Sequence, residues 1–475
     1  MNKTLTLPTH PTTNDKVVFI ERFQLLKPNY ENQQTLRTQP LNPDIELTTI
    51  TDDVYYNFPV ILDNRGEPWD IANLCLINRL NNTLSYNHRT YGSQANHLLH
   101  YRRFLDSENI NYLHFPKLKQ LRATYRYKRH IQNEIDKGHL TLGTGKKIMS
   151  AVARFYKDII KYNLIDRSLF TESPYSEVVR YIEATTYYGL KKFIAVPSTD
   201  LSISGSKPLP DPSYIYDGGQ AKPLTLEDQK TLLDALRRCD RVYQLLFYLA
   251  IFTGARLQTL TTIRISHLER VPDYHGNLRL PIGTGTGIDT KNGSRMTIII
   301  PAWLVEDLKV YSNSTVAINR RLNSYYGDND NNYLFLSARG TSFYTSKAEM
   351  KERLTADPSD PYFSELYKHT EGQAVREFIK SLNQSIQNDS PEFQSLIFHD
   401  LRATFGMNLL EEELAKEKRG TITAILEYVQ QRMGHRSKEI TLQYLNYRSR
   451  LDWKNHVQNK FESELFKYVV RSVAQ

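Results

Sequence analysis

Six side chains in the C-terminal half of this 475-residue sequence have the types needed to hold an anion and attack it. Thr253-Gly254-Ala255-Arg256 directly follows the apolar run YQLLFYLAIF. A Gly-x-Arg after a buried helix brings a guanidinium to the rim of a core, where its fork can bind two phosphate oxygens. A surface arginine capping a turn has the same four letters. Lys291-Asn292-Gly293-Ser294-Arg295 lies in a hairpin expected from about Gly287 to Pro301, because Asn-Gly is a turn signal and Met296 to Ile300 is β-prone. A lysine beside such a tip can swing into a ligand or stay solvated. His399-Asp400-Leu401-Arg402 opens the helix DLRATFGMNLLEEEL. The i, i+3 spacing puts His399 and Arg402 on one face near a helix N-terminus, whose dipole favours an anion. A chain of this length holds about one His-x-x-Arg by chance. Gly434-His435 precedes Tyr444 by nine residues, and Tyr444 is one of 31 tyrosines, most of which pack. The nearby GTGTG stretch lacks the Gly-Lys-Ser/Thr that completes a phosphate loop.

These residues need a scaffold, and the periodicity supplies one. Thr225-Leu226-Glu227-Asp228 resembles a capping-box start, and TLLDALRRCDRVYQLLFYLAIF continues with apolar residues at helical spacing. A second domain is expected from here, over 222–450, followed by a helical tail at 451–475. The stretch PSTDLSISGSKPLPDPSYIYDGGQ before it is dense in Pro, Ser, Gly and Asp, and falls in an expected linker region over 171–221. Further upstream, Leu98, Leu99, Tyr101, Phe104 and Leu105 fall at helical spacing, as do Ile148, Val152, Phe155, Ile159 and Ile160. They predict a compact helical domain over 61–170. Residues 1–60 are rich in Thr, Pro, Asn and Asp, with short β-prone pieces such as Lys16 to Ile20, and are expected to form an irregular, partly extended arm. The fold class is then mainly α with a small antiparallel β-sheet.

Composition narrows the partners. An apolar fraction of 40% with 24% charged residues is that of a globular chain. The longest strongly apolar run, Tyr243 to Phe252, is too short to span a bilayer and reads as a buried helix. The N-terminal MNKTLTLPTHPTTNDK lacks the continuous apolar core of a signal peptide, which points to the cytoplasm. Cys75 and Cys239, the two cysteines, have no zinc or disulfide spacing. Net charge is +9, and His88 to Ile165 alone holds 15 Lys/Arg against 5 Asp/Glu, so the remainder is nearly neutral. Charge concentrated in this way suits counterion release from a DNA backbone, or a solvated helical face. Arg126, Lys128, Arg129, Lys146 and Lys147 are its candidate DNA contacts. Tyr125, Tyr127 and Tyr156 interleave with the charge as packing or base-stacking residues.

The order Arg, Lys, His-x-x-Arg, Gly-His, Tyr in these contexts resembles the tyrosine recombinase, or phage-type integrase, family over about Lys222 to Arg450. Residues 68–165 are similar to that family's helical core-binding domain. The resemblance implies a two-domain clamp on double-stranded DNA and a site-specific recombinase that cleaves and rejoins strands through a 3′-phosphotyrosine. It selects Tyr444 over Tyr447 as nucleophile, Arg256 and Arg402 as a clamp on the nonbridging oxygens, and His435 as a further hydrogen-bond donor. Lys291 falls on the acid that protonates the leaving 5′ hydroxyl, and His399 on a base or orienting partner. Guanidinium groups then supply the positive charge, and no metal or cofactor is called for. Four subunits on synapsed DNA, accessory bending or directionality factors, and service to a mobile element also follow from the resemblance. The tail is expected to dock on a neighbouring subunit or on its own domain. A type IB topoisomerase-like relaxase and a noncatalytic DNA-binding protein are the alternatives. One departure stands out: many family members carry an acidic residue three positions after the first arginine, where this chain has Thr259. Asp400 is expected to shape a helix start.

Overall fold

The computed structural model describes residues 14–28, 47–50, 53–80, 86–166, 172–185, 191–203, 205, 211, 213–355, 369–416 and 421–450. Its chain divides into two compact units, Met1–Lys207 and Pro208–Gln475. The expected tail at 451–475 lies outside the described residues, as do 1–13 of the expected arm.

In the first unit, β1 (Val17–Phe23) pairs antiparallel with β4 (Tyr55–Ile61), and β2 (Leu26–Pro28) with β3 (Leu47–Thr49). Four helices follow: α1 (Asp70–Leu80), α2 (His88–Ser107), α3 (Ala123–Asp136) and α4 (Leu142–Lys161). Side-chain oxygens of Asn87 and Thr141 cap α2 and α4 by accepting from the amides of Thr90 and Thr144, which satisfies donors that no helical turn can reach. The apolar stripes meet in one core: Leu98, Tyr101 and Leu105 of α2 face Tyr127 and Ile131 of α3 and Ile148, Val152 and Phe155 of α4. Phe58 and Ile61 of β4 are buried in the same core. Within the arm expected to be irregular and partly extended, β1 and β4 are regular paired strands that pack on this core.

The expected linker is also more structured than its composition suggests. Glu177–Thr199 forms a hairpin of β5 (Glu177–Thr185) and β6 (Lys191–Thr199), and Leu201 and Ile203 bury into the first core.

The second unit begins with a short ladder of β7 (Ile215–Tyr216) and β8 (Gln220–Ala221). It continues through α5 (Leu226–Leu236), α6 (Arg241–Thr253), α7 (Leu257–Thr261), β9 (Leu278–Ile282) and β10 (Met296–Ile300). The remaining helices are α8 (Ala302–Ser312), α9 (Thr315–Leu322), α10 (Lys347–Thr355), α11 (Gln373–Asp389), α12 (Phe398–Ala415), α13 (Ile422–Met433) and α14 (438–450). Thr225 caps α5 as the TLED reading predicts, its hydroxyl oxygen accepting from the Asp228 amide at 3.1 Å. The apolar run Tyr243 to Phe252 is buried in α6. A second, smaller core joins Ile215 and Ala221 to α12, Val429 and Met433 of α13, and Tyr444 and Tyr447 of α14.

The hairpin around Lys291 differs from its expected span. Its first strand is β9, well before Gly287, and residues 283–295 form a wide loop. Gly283, Gly285 and Gly287 take positive φ values of 105°, 85° and 79°, which a strand cannot hold, so GTGTG is loop rather than strand. The described residues are thus mainly α, with five separate two-stranded antiparallel pairings in place of one small sheet. No helix among them is long and apolar enough to cross a membrane.

Candidate active site

Five segments far apart in sequence carry the six candidate side chains. Arg256 stands just before α7, where α6 has ended on the left-handed Gly254 (φ 65°). Lys291 is on the β9–β10 loop and exposed. His399 and Arg402 share the first turns of α12. His435 follows the left-handed cap Gly434 (φ 63°) of α13, and Tyr444 is on α14.

All six converge on one turn, that of β7–β8. Arg402 Nε donates to Asp217 Oδ2 at 2.5 Å, His435 Nε2 to the same oxygen at 3.2 Å, and Tyr444 Oη to it at 3.4 Å. Arg256 donates to Asp217 Oδ1 at 3.3 Å, and His399 Nε2 to the Asp217 backbone carbonyl at 2.7 Å. Lys291 Nζ reaches the Gly218 carbonyl at 3.4 Å. Arg402 spends its remaining donors on the carbonyls of Gly254 (2.7 Å) and Met433 (2.6 Å), which fixes its plane between the ends of α6 and α13. Asp217, Arg402, His435 and Tyr444 are all buried, whereas Arg256 is partly open.

The protonation pattern follows from the partners. A carboxylate and a carbonyl only accept, so both histidines carry a proton on Nε2. His435 Nδ1 then accepts from the Thr441 hydroxyl at 3.0 Å when the ring is neutral. Burial lowers the His399 pKa, and the nearby Arg402 and Arg256 charges add to that against the pull of Asp217, so the ring is neutral at pH 7. Burial alone would raise the Asp217 carboxyl, but the His435 hydrogen bond and the Arg402 charge outweigh it and hold the group well below the ordinary carboxylate range. Burial and the Asp217 charge push the Tyr444 phenol far above its usual value, against the opposing charge of Arg402. Tyr447 is buried on the same helix, and its phenol is raised by burial and by Asp400.

Asp400 accepts from the amides of Ile397 (2.7 Å) and Lys222 (2.8 Å), so it shapes the start of α12 and ties β8 to it. Thr259 is buried, and Asp217 is an acidic neighbour of Arg256. Sequence reasoning missed Asp217 and Thr441. An aspartate before Gly-Gly has the signature of a turn, and nothing local distinguishes it from any other.

The basic candidates lie in the first unit. Lys146 and Lys147 line an open groove with Arg89, Ser93, His97 and Arg154. Arg126 instead pairs with Glu108 at 2.7 Å, and Lys128 donates to the Asp200 carbonyl at 2.8 Å, while Arg129 is exposed. Tyr127 and Tyr156 are core residues, and Tyr125 donates to Asp200 at 2.6 Å.

No curated protein matches the sequence. Among solved structures, the chain is similar to the Tn1549 transposon integrase in complex with a circular intermediate DNA, at 15% identity and TM-score 0.42 over 78% of this chain and 93% of that one. It is similar to a lambda integrase dimer bound to a COC′ core site at 14% identity and TM-score 0.39 (78% and 93%), and to XerA recombinase at 16% and 0.30 (79% and 92%). Residues 222–450, which hold all six candidate side chains, match the phage integrase family. This domain, residues 222–450, is a phage integrase family domain, the domain of the tyrosine recombinases.

Proposed function

We propose that the protein is a site-specific recombinase that cuts and rejoins double-stranded DNA through a covalent bond to Tyr444. The observation that carries this reading is the convergence of Arg256, Lys291, His399, Arg402, His435 and Tyr444 on the two residues Asp217 and Gly218. A pocket of two guanidiniums and an imidazole N–H beside a phenol is what phosphoryl transfer needs, since charge grows on the nonbridging oxygens as the attacking oxygen bonds.

In this reading Tyr444 Oη attacks the scissile phosphorus, the bond to the 5′ oxygen breaks, and the 3′ phosphate stays on the tyrosine. Neutral His399, in the tautomer that carries its proton on Nδ1, takes up the phenolic proton on Nε2, and Lys291 delivers one to the departing 5′ hydroxyl. Arg256, Arg402 and His435 hold the nonbridging oxygens. A 5′ hydroxyl from a partner strand reverses the step, which conserves the phosphodiester energy. Four subunits on two synapsed sites, and a role in moving a genetic element, belong to the same reading. The basic groove of the first unit would bind the DNA backbone.

A library of nicked duplexes of random sequence tests it, because loss of the nicked fragment traps the covalent adduct. Adduct with wild type and Tyr447→Phe, and none with Tyr444→Phe, is expected. No adduct with wild type, or adduct persisting in Tyr444→Phe, overturns the assignment. With the captured sequence in hand, joining of two different duplexes separates recombination from topoisomerase-like relaxation.

A further inference from the structure

The carboxylate of Asp217 occupies the place that the reaction requires for the phosphate. Oδ2 alone receives Arg402 Nε, His435 Nε2 and Tyr444 Oη, and Oδ1 receives Arg256. A phosphate oxygen taking the same donors would have to stand where Oδ2 stands. Two anions would then share one buried pocket, which neither packing nor charge allows. A carboxylate serving only to brace an arginine would lie behind the guanidinium and leave the nucleophile's front clear. Here it is the atom the nucleophile touches.

The segment that carries Asp217 is anchored at its ends by its own ladder and held in the middle by the side chains of the site, the groups a phosphate would recruit. Ile215 and Ala221 are buried and paired, and the Tyr216 amide donates to Gln443 Oε1 at 2.9 Å. Between them stand Asp217, Gly218 and Gly219, with Gly218 at φ 72°. The ladder is only two residue pairs long, Ile215↔Ala221 and Tyr216↔Gln220. Re-forming a turn of two glycines takes Asp217 out of the pocket without moving either anchor.

We propose that the Asp217 turn is an internal plug, a phosphate mimic that closes the active site of the free chain and is displaced by the scissile phosphodiester. This rests on the recombinase reading of the same site. The plug keeps Tyr444 protonated and the arginine fork neutralised until DNA competes for the fork. It lowers the apparent affinity for the phosphate by the fraction of molecules in which the pocket is open.

The test compares wild type with Asp217→Asn, which keeps the side-chain shape and removes the charge. Inorganic phosphate, at constant ionic strength, should raise the melting temperature of Asp217→Asn by several degrees more than that of wild type, and equal shifts overturn the plug. On the nicked-duplex library at limiting DNA, Asp217→Asn should form adduct about tenfold faster. An equal or slower rate overturns the plug and leaves the recombinase reading standing. Absence of adduct from both proteins overturns the recombinase reading, and the phosphate measurement still decides the plug. If Asp217→Asn does not fold, hydrogen exchange in wild type serves: phosphate should speed exchange of the amides at 215–221 about tenfold. Unchanged protection there overturns the plug.

Discussion

Gly406 of α12 lies directly against the ring of Tyr444, so closely that a methyl group built on it would stand 2.5 Å from Cε1. The same methyl would meet Tyr444 Cδ1 at 3.1 Å and Met433 Cε at 3.0 Å, so the ring itself must shift to admit it. Gly406→Ala is expected to cost about 1–3 kcal/mol of stability through overpacking. It should slow adduct formation by more than tenfold, because misplacing an attacking atom by about 1 Å costs on the order of a hundredfold. Urea midpoints and single-turnover adduct rates check both. A normal rate would mean that the ring position is not what sets the attack.

Arg402 is the buried hub that joins three chain segments, through Asp217, the Gly254 carbonyl and the Met433 carbonyl. Arg402→Ala takes the buried guanidinium partner from Asp217, which keeps Arg256, His435 and Tyr444, and leaves the Gly254 and Met433 carbonyls without it; it should cost about 3 kcal/mol. Arg402→Lys keeps the charge but cannot donate along three fixed directions, so it should recover part of the stability and little of the adduct. Denaturation paired with adduct yield separates the two effects. Full recovery of adduct by lysine would show that charge alone is used.

Asp217 links stability to pH. Its folded pKa is depressed, so its contribution is present above the unfolded value of about 3.9 and is lost as pH falls below it. Asp217→Asn should therefore be less stable than wild type at pH 7, and the gap should close on titration from about pH 5 downward. Urea midpoints at a series of pH values measure this. A gap that stays constant into acid would mean that the carboxylate charge carries none of the stabilisation.

The groove lined by Arg89, Lys146, Lys147 and Arg154 predicts a salt signature. If Lys146 and Lys147 neutralise phosphates, replacing both by Gln should lower the slope of log affinity against log salt by about 2, at about 0.9 per phosphate contact. Lys146 and Lys128 each donate to a backbone carbonyl, but Arg126 is already paired with Glu108, so Arg126→Gln with Lys128→Gln should change the slope by about 1 at most. Fluorescence titrations at several salt concentrations check this. Equal slopes for the two double variants would remove the groove as the backbone contact.

Local chemistry determined much of this protein on its own. Helical spacing marked Leu98, Tyr101, Val152 and Phe155 as core, and Thr225 as a cap, because burial and capping leave their signal within one or two turns. The order and spacing of Arg256, Lys291, His399, Arg402, His435 and Tyr444 singled those residues out together, though none has any privilege alone. The span of the hairpin around Lys291 was misplaced because β9 pairs across a glycine-rich loop instead of a tight turn. The β-prone pieces within 14–28 and 53–61 gave no sign of their partners, and the strands at 177–185 and 191–199 fell in a region assigned as linker, because pairing and packing across the chain leave no local signal. Asp217 is the clearest case. Its sequence neighbourhood describes a turn, and its partners lie 39 to 227 residues away, so only the tertiary structure could place its carboxylate among two arginines, a histidine and Tyr444. A charge in a buried pocket is defined by what the rest of the chain brings to it, and that is not written in the residues beside it.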